Sequence, residues 1–105
     1  MHLISMKAIK EAIDRFPQHK TALLTLAKTI EKADCPTPND LKRLYPTLDN
    51  FKYLSKYYVI DIANNSLRIV ALIFFENQKF YVRHIFTPRE YDRFTEQHRS
   101  KGKKK

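Results

Sequence analysis

Two arginines, Arg68 and Arg83, each interrupt a run of β-branched and aromatic residues. A guanidinium presents a planar fork of N–H donors that matches a phosphate. Two of them on one surface can clamp that group and stabilise charge developing on it. A carboxylate, Asp61, precedes Arg68 in the chain and offers the alternative of an ordinary cross-strand ion pair. Tyr91 supplies a phenol that could act as acid or base, or simply pack on a sheet. His98 supplies an imidazole suited to proton transfer near neutral pH, or an ordinary surface residue close to the chain end. Lys52, Tyr53, Lys56, Tyr57 and Tyr58 interleave bases with aromatics. Aromatics stack on unpaired bases while lysines hold phosphates; a solvated strand entry with core tyrosines accounts for the same residues.

Other chemistries are disfavoured. Cys35 is the single cysteine, so there is no internal disulfide framework and no multi-cysteine zinc site, and no histidine at helical or loop spacing activates it as a nucleophile. The four histidines have no metal-ligand spacing, so no metal or other cofactor is expected. One glycine excludes a glycine-rich nucleotide loop. His84 lies within an apolar run and reads as a core histidine. The longest apolar run, Ile69 to Phe75, is far short of the ~20 residues a membrane span needs. Met1 to Ser5 lacks a basic start and a long apolar stretch, so no leader and a cytoplasmic location are expected.

The chain of 105 residues is one domain's worth, and its net charge of +9 favours a polyanionic partner. Five of those nine charges fall in residues 99–105, a basic tail containing Lys101, Lys103, Lys104 and Lys105. Such a tail is either a solvated terminus or a phosphate-seeking arm. Residues 1–98 form the domain proper.

The elements that must position these groups follow from periodicity. Ser5 can cap a helix over about 6–16, with Met6, Ile9, Ile13 and Phe16 as its apolar stripe and Pro17 as its end. A second helix over about 18–33 carries Leu23, Leu26, Ala27 and Ile30, making a helical hairpin. Thr37, Pro38 and Asp40 predict a short helix near 38–44, and residues 45–50 a loop. Tyr57 to Ile62, Leu67 to Phe75 and Phe80 to Phe86 read as strands of an antiparallel meander. Thr87, Pro88 and Glu90 form a capping box for a last helix, with Tyr91, Phe94 and His98 on one face.

A two-residue turn at Asn64-Asn65 places Asp61 opposite Arg68, and a turn centred on Asn77-Gln78 places Arg83 opposite Leu72. Side chains alternate between faces. Arg68, Arg83, Asp61, Tyr57 and Tyr81 then share one open face, and His84 points with Ile69 and Phe80 toward the helices. A one-residue slip in either turn reverses part of this assignment.

The motifs Met1-His2-Leu3-Ile4, Phe16-Pro17-Gln18-His19-Lys20, Leu48-Asp49-Asn50-Phe51-Lys52-Tyr53-Leu54, Leu67-Arg68-Ile69-Val70-Ala71 and Glu90-Tyr91-Asp92 together resemble the HigB toxins. These belong to the RelE/ParE-type toxin superfamily, and the resemblance spans essentially the whole chain. It implies an α+β, RelE-like fold: an N-terminal helical hairpin packed on a twisted antiparallel sheet, with a C-terminal helix. It also implies a first strand at 1–4.

The implied activity is metal-independent cleavage of translated messenger RNA on the ribosome. The ribose 2′-hydroxyl attacks the adjacent phosphate while the protein moves protons and stabilises charge. The implied partner is a HigA-type helix-turn-helix antitoxin, through which alone operator DNA would be met. Carried over by position, Arg68 and Arg83 match the sheet arginines, Tyr91 the tyrosine near the C-terminus, and Lys52 or Lys56 the basic residues before the sheet. Thr87-Pro88-Arg89-Glu90-Tyr91 departs from the family's Thr-His-x-Glu-Tyr; if that histidine transfers protons, Tyr91 or His98 has to substitute for it here or activity is weak. A ParE-like poison of DNA gyrase and an RNA binder that blocks translation without cutting are the rival readings.

Overall fold

The computed structural model describes residues 1–103. Strand β1 (His2–Ile4) leads into α1 (Met6–Arg15), and a 3-10 turn at Pro17–His19 leads into α2 (Lys20–Lys32). Then come α3 (Pro38–Leu44), β2 (Asp49–Asn50), β3 (Tyr57–Ile62), β4 (Leu67–Phe74), β5 (Lys79–Phe86) and α4 (Pro88–Lys103). The five strands form one sheet in the order β1-β5-β4-β3-β2, with β1 parallel to β5 and the other neighbours antiparallel. This is the α+β architecture expected for a RelE-like toxin. The two-residue strand β2 falls inside the segment expected to be a loop; so short a strand carries no periodicity, and only its pairing with Tyr58 and Val59 defines it.

The helical hairpin covers one face of the sheet. Ile9, Leu23, Leu26 and Ile30 are fully enclosed against Ile60, Leu67, Ile69, Ile73 and Phe80. The predicted stripe of α2 is thus the observed one. That of α1 is rotated: Ala12 is buried, while Met6 remains 39% exposed. Ser5 does not cap α1 with its side chain. The tight exit from β1 puts it in the left-handed region (φ 88°), and its carbonyl rather than its hydroxyl takes the Ala8 N–H. Thr37 and Asp40 do make the predicted capping box on α3.

Asp61 pairs with Arg68, as the Asn64-Asn65 turn requires, and both asparagines have positive φ. The β4–β5 register differs from expectation. Its turn runs from Phe75 to Gln78, with Glu76-Asn77 in the middle, and Leu72 faces Tyr81 rather than Arg83. Between Val70 and Ala71 the register then shifts: Ala71 pairs with Val82 and Val70 with His84, leaving Arg83 as the extra residue of a β-bulge. A bulge re-aims every side chain beyond it. Ile85 therefore returns to the core side, whereas His84 and Phe86 join Arg68 and Val70 on the opposite face.

That opposite face is not fully open. Helix α4 and Phe51 close one end of it, burying Val59 and Val70. The end bearing Tyr57, Leu72, Phe74 and Tyr81 stays partly exposed.

Candidate active site

The site is built around Phe51, which is 3% exposed. Its backbone N–H donates to Tyr57 O at 2.8 Å, so the chain leaving β2 is tied to the start of β3. Helix α4 is held over this ring by two devices at its N-terminus. Thr87 and Glu90 make reciprocal hydrogen bonds of 2.9 and 3.2 Å, and the Glu90 carboxylate also pairs with Arg15 of α1. The Arg15 hydrogen bond chiefly holds the Glu90 carboxyl below its ordinary range. Three-and-four spacing then brings Tyr91, Phe94 and His98 onto Phe51, with ring centroids 6.2, 5.2 and 5.6 Å away. Phe94 in turn touches His84 and Phe86, at 4.9 and 5.2 Å.

Each polar group is chemically specified. His98 Nδ1 lies 2.9 Å from the Phe94 carbonyl. A carbonyl only accepts, so Nδ1 carries the hydrogen, and in the neutral ring Nε2 is left to accept a proton. Burial pushes the Tyr91 phenol upward; Thr95 opposes it, Asp49 and Asp61 add to it, and Arg68 pulls slightly the other way. Tyr91 is therefore a proton donor at neutral pH. Thr95 Oγ1, close by, is buried and makes no well-formed hydrogen bond among the described residues. Arg68 Nε lies 3.2 Å from Asp61 Oδ1, and Nη1 donates to Asn65 O at 2.9 Å. The cross-strand ion pair is real, yet the Arg68 side chain as a whole remains 20% exposed and its guanidinium has donors to spare. Asp61 is itself fixed through its backbone, which exchanges hydrogen bonds of 3.0 and 3.2 Å with the Thr47 hydroxyl.

Arg68, Tyr91 and His98 thus lie on one sheet face. Arg83 does not join them: it is exposed beyond the bulge and lines a groove with Ala8, Ala12, Arg15 and Phe16 of the first helix and its end. The expectation of two arginines on one face is corrected by that extra residue. His84, expected against the helical hairpin, packs on Phe94 and stacks on Phe86. Burial, then Arg83 and His98, lower its pKa. Lys52 Nζ sits over the Tyr53 ring at 5.4 Å, and Tyr53 meets Phe51 at 5.6 Å. Lys56 Nζ sits over Phe74 at 5.1 Å, and Tyr57 pairs with Leu72. Lys101 and Lys103 fall in the last turn of α4, while Lys104 and Lys105 lie outside the described residues. Cys35 is buried, which raises its thiol pKa. Among the described residues no three potential metal ligands cluster, and no helix is long and apolar enough to cross a membrane.

Phe51, Asp49, Thr47 and Thr95 were not identifiable as site residues by type or spacing. Phe51, Asp49 and Thr47 act through long-range pairing, for which the chain has no local signal, whereas Thr95 follows Tyr91 by four residues on the same helix.

Residues 19–94 match a family described as HigB toxin, RelE-like toxic component of a toxin-antitoxin system. The chain belongs to the HigB toxin family. An antitoxin partner follows from membership of such a system. Among its HigB relatives is the mRNA interferase toxin HigB of Escherichia coli K12, 54% identical over 104 residues, covering 99% of this chain and 100% of the relative. The mRNA interferase HigB of Shigella flexneri matches to the same extent. That of Escherichia coli O6:H1 is 40% identical over 99 residues, covering 94% of this chain and 96% of the relative.

Proposed function

We propose that this chain is an mRNA interferase, an endoribonuclease that cuts translated messenger RNA on the ribosome. Its full-length similarity to proteins of that name supports the activity. The observation that carries the chemistry is the convergence on the Phe51 face of the Tyr91 phenol, the His98 imidazole held through Nδ1 by the Phe94 carbonyl, and the partly exposed Arg68 side chain.

RNA carries its own nucleophile. His98 Nε2 removes the proton of the ribose 2′-hydroxyl as that oxygen attacks the neighbouring phosphorus. Tyr91 gives its proton to the departing 5′-oxygen, while Arg68 donates hydrogen bonds to the phosphate oxygens as their charge grows. The products are a 2′,3′-cyclic phosphate and a free 5′-hydroxyl, and no external electrons are needed. Lys52, Lys56 and Tyr57 hold the flanking RNA. Arg83, outside this face, binds phosphates away from the scissile group, and the lysines at 101 and 103–105 add sequence-independent attraction. A HigA-type helix-turn-helix antitoxin would neutralise the toxin and bring it to operator DNA.

Mapping messenger-RNA 5′ ends after brief induction tests this reading. New ends within codons, dependent on translation, are expected. Intact transcripts with accumulating gyrase-linked DNA breaks would overturn it in favour of the ParE-like mode. Intact transcripts with stalled translation alone would favour a non-cutting binder.

A further inference from the structure

Thr95 Oγ1, in the middle of α4, is buried and has no hydrogen-bond partner among the described residues. A hydroxyl removed from water without a partner costs stability, so such a group calls for a reason. Threonine within a helix ordinarily settles its hydroxyl on the carbonyl four residues back. For Thr95 that carbonyl belongs to Tyr91, and the bond is not made.

The same four-residue spacing stacks the Thr95 side chain beside that of Tyr91 on one face of the helix. Tyr91 is fixed there by Phe51, whose ring it meets edge-on at 6.2 Å. We propose that Thr95 is a positioning residue for cleavage, donating its hydroxyl hydrogen to the Tyr91 phenolic oxygen as that oxygen releases its proton, an inference that rests on the RNA-cleaving reading above.

A phenol that gives up its proton becomes a phenolate, and Tyr91 must do so where negative charge is poorly received. Burial opposes it, as do Asp49 of β2 and Asp61 of β3, and Arg68 of β4 helps only weakly. The other titratable rings on Phe51 are His98 of α4 and Tyr53, which follows β2. Thr95 is the strongest influence in the phenolate's favour. A hydroxyl suits the task because a hydrogen bond to an anion is roughly twice as strong as one to a neutral group. The contact therefore strengthens as the proton leaves, and only interactions that strengthen toward the transition state raise the rate. By donating rather than accepting, Thr95 also leaves the Tyr91 proton free to go to the departing 5′-oxygen. The bond is loose in the free protein, as catalytic hydrogen bonds commonly are until substrate is bound.

The test uses the full chain. Thr95→Val keeps the branched shape and removes the hydroxyl, and Thr95→Ser keeps the hydroxyl. Two quantities are read: the Tyr91 titration, by NMR of ring-labelled tyrosine with Tyr91→Phe locating its signal, and single-turnover cleavage on programmed ribosomes across pH. Thr95→Val should move the Tyr91 titration to higher pH and carry the alkaline limb of the rate with it. It should also slow cleavage roughly ten- to hundredfold, as loss of a hydrogen bond to a charged group does. Thr95→Ser should bring both quantities back toward the parent. In a Tyr91→Phe background, Thr95→Val should cost nothing further, since the two changes remove the same interaction. A hydroxyl that served only the helix would leave the Tyr91 titration in place in a folded Thr95→Val, and that result would overturn the proposal. So would a full Thr95→Val loss added to that of Tyr91→Phe. A Tyr91→Phe variant that cuts at the parent rate would remove Tyr91 as the acid, and this role with it.

Discussion

Arg68 and Arg83 look equivalent in the chain and are not equivalent in space. Arg68 lies opposite Phe86, among the residues that α4 covers, and is oriented by Asp61 and the Asn65 carbonyl. Arg68→Ala should lower single-turnover cleavage on programmed ribosomes roughly 10²–10³-fold, as loss of one strong transition-state donor does. Arg83→Ala should cost far less and mainly affect binding. Equal losses from the two would show that the bulge does not separate their roles. Pro88 is the other informative residue. It occupies the first position of α4, where the missing N–H is harmless, and the Thr87–Glu90 cap is complete beside it. The fold thus accounts for a proline at this position on structural grounds alone. Tyr91→Phe and His98→Ala should each remove roughly 10²–10⁴ of the rate. Pro88→His, with the cap kept, should raise the rate or broaden its pH profile. If all three variants cut as the parent does across pH, proton transfer comes from elsewhere.

At the scale of elements, everything the site needs passes through the seating of α4. The Arg15–Glu90 pair and the Thr87 cap bind its first turn to α1 and β5. Because Glu90 titrates below its ordinary value in the folded protein, its contribution is complete above the unfolded glutamate pKa. That stability is lost as pH falls through the folded value. Glu90→Gln should flatten the acid limb of a thermal-melt series and speed amide exchange in α4. Thr87→Ala should destabilise by about 1 kcal/mol at any pH. An unchanged acid limb in Glu90→Gln would show that α4 is seated by its aromatic face alone. These caps were legible in the chain because a cap is a local pattern, and so was the Asn64-Asn65 turn, which set the Asp61–Arg68 pairing. The bulge was not legible. Nothing about Arg83 as a residue type marks it as unpaired, and the extra position exists only because β5 must satisfy β4 and α4 together. Phe51 was hidden for a related reason, since its importance comes from where α4 lands.

For the whole molecule, the net charge of +9 is concentrated toward one end of the chain. Deleting residues 101–105 should weaken ribosome binding and reduce the slope of log affinity against log salt by about 0.7 to 0.9 for each phosphate that is no longer neutralised. The cleavage position should stay unchanged, because the groups assigned to chemistry lie before the deletion. An unchanged slope would show that the tail is merely solvated. A shifted cut would show that it places the RNA.

The bulge has a genetic consequence. In a regular ladder, excising one codon turns over every side chain downstream. Here Val82 faces the core and His84, two positions later, faces α4, with Arg83 supernumerary between them. An in-frame deletion of codon 83 would join Val82 to His84 and leave Ile85 and Phe86 on their present sides. Deleting codon 82 instead would slide Arg83 into the core position Val82 vacates. The first allele should yield a folded protein that still cuts, and the second should yield none, so a codon-deletion scan across residues 79–86 should show tolerance confined to the bulge, at codons 83 and 84, in an otherwise intolerant strand.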